Sequence, residues 1–118
     1  MLPDIKCYRI NGRAIVEGVE HNIMQHSPDG FEWGFGGSGP AELALNILSQ
    51  YLSLDDAQKY HQNFKWQFIT PIPEAGGVIK RDEIISWIVH QLRMEKYKNE
   101  EKIEELMRNN QHETRMEK

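Results

Sequence analysis

Apolar and polar residues alternate from Ile5 to Ile10, with Ile5, Cys7 and Arg9 on one side and Lys6, Tyr8 and Ile10 on the other. A period of two reads as a strand. Asn11-Gly12 follows, a pair that suits a type I′ turn because both central residues take φ > 0. Arg13 to Val19 then reads as the return strand. Asn22 to Gln25 and Phe31 to Phe35 are further strand candidates. The turn Ser27-Pro28-Asp29-Gly30 separates them, with Pro fixing φ and Gly at the close.

From Pro40 to Leu52 the period becomes helical. Glu42, Asn46, Ser49 and Gln50 form one narrow polar stripe, and Leu43, Ala44, Leu45, Ile47, Leu48, Tyr51 and Leu52 cover the rest. A helix apolar over most of its surface is buried on several sides. Ser53 with Asp56 resembles a capping box and starts a second helix running to about Lys65, with Ala57, His61 and Phe64 on one face. Trp66 to Ile69 reads as a short strand, Thr70-Pro71-Ile72-Pro73 cannot be helix interior, and Ala75-Gly76-Gly77 reads as loop. A third helix starts near Arg81, with Asp82 and Glu83 in its first turn and Ile84, Ile85, Ile88, Val89 and Leu92 inward. Beyond Leu92 the apolar residues thin to Met94, Tyr97, Ile103, Leu106 and Met107, and sustained a/d heptads are missing.

The expected fold is α+β. A small antiparallel sheet within about residues 5–35 is covered by three helices, the last extended into a long polar C-terminal helix, and residues 66–88 leave room for one more strand. The expected organisation is a compact domain over 1–92 and a polar helical extension over 93–118.

Composition narrows the function classes. The chain has 118 residues, 39% hydrophobic and 9% aromatic, enough for one core and against wholesale disorder. It contains no apolar run long enough to span a bilayer and no signal-peptide pattern at its start. One cysteine excludes an internal disulfide and a four-cysteine zinc site, and suits a reducing, cytoplasmic setting. The net charge of −4 falls wholly in residues 1–92, since residues 93–118 hold seven acidic and seven basic groups. That balance argues against sequence-independent binding to nucleic acid.

Three groups of residues carry candidate chemistry. Gly34-Phe35-Gly36-Gly37-Ser38-Gly39-Pro40 is a glycine-rich run into a helix, where unpartnered amides make an anion site. The run is neither a phosphate-binding P-loop nor a dinucleotide fingerprint. A plain alternative is that the glycines only let the chain turn sharply into a buried helix. Trp33 and Phe35 alternate on the expected strand and would share one face, for core packing or for stacking on a ring. Lys65 sits near a helix end, where it either serves the dipole or donates to an anion. His26, Asp29 and Glu32 lie within seven residues and form a possible polar site for acid–base or metal chemistry, although the spacing matches no dedicated metal loop. Cys7 reads as a buried thiol without an activating base. No nucleophile elbow or zinc-protease motif is present, so no catalytic residue is assigned and no cofactor is expected.

The stretch from His26-Ser27-Pro28-Asp29-Gly30-Phe31 through Trp33-Gly34-Phe35-Gly36-Gly37-Ser38-Gly39-Pro40-Ala41 to Leu43-Ala44 and Ile47-Leu48 resembles a small bacterial and phage family, the domain of unknown function numbered six-one-six-six. Tyr60-His61-Gln62-Asn63-Phe64-Lys65 and Ile84 to Ile88 are similar to the family's later segments, so the resemblance covers about residues 5–89. It implies a shared fold and site rather than a reaction. Lys80 or Arg81 stands where the family commonly has a Ser or Thr cap, and the polar tail is longer than usual. Three functional expectations follow. The first is a non-enzymatic binding protein taking an anionic or nucleotide-like ligand at Trp33, Phe35, Gly36, Gly37, Ser38, Gly39 and Lys65. The second is an acidic module of phage or mobile-element origin that inhibits a host defence protein. The third is a metal-dependent hydrolase using His26, Asp29 and Glu32. No membrane partner is expected, and the tail can pair with a second copy of the chain.

Overall fold

The computed structural model describes residues 1–117, with side chains as far as Asn109. The chain divides into two units, Met1–Arg81 and a second beginning at Asp82. The first opens with strand β1 (Ile5–Ile10) and strand β2 (Arg13–Glu17). Their antiparallel register pairs Cys7 with Val16 and Ile10 with Arg13. Asn11 and Gly12 turn between them at φ of 51° and 78°, the left-handed pair that the hairpin requires. Ile5 and Cys7 are buried while Lys6 and Ile10 face outward, as the alternation predicts.

The third strand is not where the alternation placed it. Residues 22–25 and 31–35 form no strand, and the sheet is completed by β3 (Gly76–Ile79), antiparallel to β1, in the order β2-β1-β3. Gly76 and Gly77, expected as loop, pair with Tyr8 and Cys7. A Cβ at position 76 would strike the Cys7 carbonyl oxygen, so the strand approaches too closely for any other residue.

Helix α1 (Ser38–Ser49) starts two residues ahead of the expected helix, and residues 39–48 are all buried. The core is built around it from Leu43, Leu45, Ile47, Leu48, Phe64 and Ile69. Helix α2 (Leu54–Phe64) begins as predicted, with the Ser53 side chain accepting from the Asp56 amide. It does not give way to a strand. Lys65–Ile69 is a π-helical turn, closed by the Thr70 amide donating to the Lys65 carbonyl at 2.9 Å. The turn puts Lys65 and Ile69 inside and Trp66 outside.

Helix α3 (Arg81–Glu117) forms the second unit apart from its first residue, and the expected extension is helical as far as Glu117, Lys118 lying outside the described residues. Ile84 and Ile88 are buried, whereas Val89 and Leu92, expected inward, are exposed.

The fold is therefore α+β, a three-stranded antiparallel sheet with three helices. No helix among the described residues is long and apolar enough to cross a membrane.

Candidate functional site

The 20-residue stretch between β2 and α1 has no regular structure, so its backbone needs partners from elsewhere. The polar stripe of α1 supplies them. Glu42 is 0% exposed, and its Oε1 accepts from the Gln25 and His26 amides at 2.9 Å each. Its Oε2 accepts from the Ser27 amide at 3.0 Å and lies 2.9 Å from His21 Nε2. One turn on, Asn46 Oδ1 accepts from the Asn22 and Ile23 amides, while its Nδ2 donates to the Ile23 and Glu42 carbonyls. Gln50 Nε2 donates to the Gly18 carbonyl at 3.0 Å. These bonds satisfy the amides that a neighbouring strand would otherwise take, which is why residues 22–25 are not a strand. Burial alone would push the Glu42 carboxyl up, but the three amides and His21 outweigh it and hold it below the usual range. Glu42 is thus a fixed anion inside the unit.

The glycine-rich run then turns into α1. Of its four glycines only Gly34 uses the left-handed region, at φ 88°, with its amide donating to the Ile69 carbonyl at 3.1 Å. Gly36 and Gly37 serve close approach instead. A Cβ on Gly36 would collide with the Trp66 ring, and one on Gly37 with the Phe35 ring. Two large rings, Trp66 at 58% and Phe35 at 51% exposed, therefore lie on successive glycines. Gly37 caps α1 without any side-chain bond. The Ala41 amide closes the first helical bond on the Gly37 carbonyl, and Pro40, expected at the first helical position, is the third. Ser38 is exposed and, with Gly39, lines an open cavity of about 450 Å³ shared with Arg13, Asp29, Glu32 and Phe35.

Lys65 lies beneath this run. It is only 6% exposed. Its Nζ donates to the Gly36 carbonyl at 3.4 Å and sits 4.6 Å from the centre of the Trp66 ring. Among the described residues no carboxylate lies within ion-pairing distance of it. A buried cation normally has a charged partner.

The other sequence candidates are placed differently. Trp33 is 1% exposed and does not share a face with Phe35. Its Nε1 donates to the Pro73 and Glu74 carbonyls, and the Arg9 guanidinium covers its ring at 4.4 Å. Arg9 also grips Glu32 through two bonds, at 2.9 and 3.2 Å, and this holds the Glu32 carboxyl below its ordinary value. His26, expected in a polar site with Asp29 and Glu32, instead places Nε2 2.9 Å from His61 Nε2. His61 Nδ1 donates to the Gln58 carbonyl at 2.7 Å, so its Nε2 is the acceptor and His26 the donor. Asp29 stays exposed on the turn. The structure does not bring His26, Asp29 and Glu32 together, and among the described residues no three His, Cys, Asp or Glu side chains are grouped to hold a metal ion. Cys7 is buried, and burial pushes its thiol up to about 11. Trp66 as a site residue, and the pairing of the candidate His26 with His61, leave no local pattern in the sequence, because one depends on a π-helical turn and the other spans 35 residues.

No curated protein and no solved structure matches the chain. A family model does: that of a family of unknown function, DUF6166, matches residues 5–90, a span that holds β1 to β3, the glycine-rich run and Lys65. The chain belongs to that family.

Proposed function

We propose that the protein is a small non-enzymatic binding protein that takes an anionic, nucleotide-like ligand at the glycine-rich run into α1. The observation that carries this reading is Lys65, a buried cation with no carboxylate partner among the described residues, held on the Gly36 carbonyl beside the Trp66 ring. A bound anion supplies the missing charge, and the half-exposed rings of Phe35 and Trp66 supply stacking surface for a base. The uncapped amides of Ser38 and Gly39 extend the same preference for negative charge. Titration of a nucleotide panel and of inorganic phosphate against thermal stability tests it. At a hundredfold excess over Kd a ligand adds about 2.7 kcal/mol, which raises the Tm of a domain this size by roughly ten degrees. A flat Tm across the panel defeats the reading. The same two exposed rings favour one alternative, an acidic protein-interaction module, because Trp is enriched at binding hot spots. In that case Trp66→Ala and Phe35→Ala abolish capture of the partner while phosphate and nucleotides leave Tm unchanged.

A further inference from the structure

Seven large apolar residues of α3 are exposed among the described residues, and four of them share one seam. Val89, Leu92, Ile103 and Leu106 fall on that seam, three residues apart within each pair, whereas Met94, Tyr97 and Met107 lie off it. Lys96 and Asn99 occupy the same seam between the pairs. The seam therefore reads apolar, polar, apolar, and it looks the same from either end. A helix of this composition, mostly polar with one apolar seam, is marginal in water until that seam is covered.

The charges beside the seam select what covers it. When the helix is laid antiparallel on a second copy of itself, one register sets every apolar layer against an apolar layer: Leu92 against Ile103 and Val89 against Leu106 of the second copy. Lys96 then meets Asn99. In that register Arg93 of each copy faces Glu100 of the other, and Glu95 faces Lys102, so all four flanking contacts join opposite charges. Parallel pairing gives the reverse. It stacks Lys96 on Lys96 and sets Glu95 against Glu100. Antiparallel registers shifted by one heptad put Lys96 or Asn99 against the apolar positions. We infer that residues 89–106 of α3 are a self-association surface and that its occupant is the same segment of a second copy, antiparallel, in this register.

Sedimentation of the full-length chain over a range of concentrations tests the proposal, with circular dichroism confirming unchanged helix content in each variant. The expected result is a monomer–dimer equilibrium. Glu100→Arg places Arg opposite Arg93 twice per dimer and raises the dissociation constant by about tenfold or more. Adding Arg93→Glu on the same chain restores it. A chain that stays monomeric at every concentration overturns the inference. So does an assembly that Glu100→Arg leaves unchanged, or one that it tightens, the result parallel pairing gives by relieving Glu95 against Glu100.

Discussion

Lys65 and Glu42 are both buried charges with opposite consequences. Lys65 has no carboxylate partner among the described residues, so removing its charge relieves the free protein while damaging the site. Lys65→Met is expected to raise stability by about 1 kcal/mol in chemical unfolding and to abolish the ligand-induced Tm shift. Glu42 accepts from three amides and contacts His21, so Glu42→Gln, which puts an amide group where an oxygen accepts, is expected to cost about 2–3 kcal/mol by the same measurement. His61 adds a pH dependence. Burial holds its ring below the ordinary histidine value, the Gln58 carbonyl opposes this, and the charges of His26 and Lys65 reinforce it. The unfolded chain therefore takes up a proton first as pH falls. Stability is complete above about 6.5 and declines as pH drops through the lower folded value. Unfolding curves between pH 8 and pH 5 are expected to show that decline, and His61→Gln to flatten it.

Among the elements, α1 does two jobs: its apolar surface fills the core and its polar stripe holds the stretch before it. Hydrogen exchange separates the two holds. Amides 22, 23, 25, 26 and 27 are expected to be protected although they lie in no strand, and Asn46→Ala to release 22 and 23 while leaving 25–27 slow. This element also shows what the sequence made legible. The hairpin, α1 and the Ser53 cap follow from turn chemistry and periodicity, which are local. The stripe of Glu42, Asn46 and Gln50 was visible, but its use was not, because its partners in the preceding stretch lie 15 to 32 residues away. Alternation suggested strands at 22–25 and 31–35, where side chains of α1 and tertiary contacts took the place of ladder bonds. β3 falls within residues 66–88, where room for one more strand was left, but at Gly76–Ile79 rather than at Trp66–Ile69; Gly76-Gly77 has no strand propensity, and the strand's place is set by the approach to Cys7. The glycine-rich run was recognisable as a site candidate, while Trp66 reaches it only through a π-helical turn.

At the scale of the molecule, the compact unit is fastened at its two ends. Asp4, just before β1, accepts from the Arg81 amide at 2.7 Å, and that bond holds the Asp4 carboxyl below its ordinary value. Asp4→Ala is expected to lower Tm at pH 7 and to make Tm less sensitive to acid, because the stability that ionised Asp4 contributes is lost from the parent as pH falls through its lowered folded value; thermal scans at pH 7 and pH 3 check this, with the difference between variant and parent largest at pH 7.

The bonds from Glu42, Asn46 and Gln50 reach main-chain atoms, and His21 alone among residues 18–27 answers them with a side chain of its own. What Glu20 or Met24 displays to solvent is thereby uncoupled from what keeps the segment in place. The segment behaves as a mount whose fittings are interchangeable: new side chains alter the outward chemistry without disturbing the frame beneath.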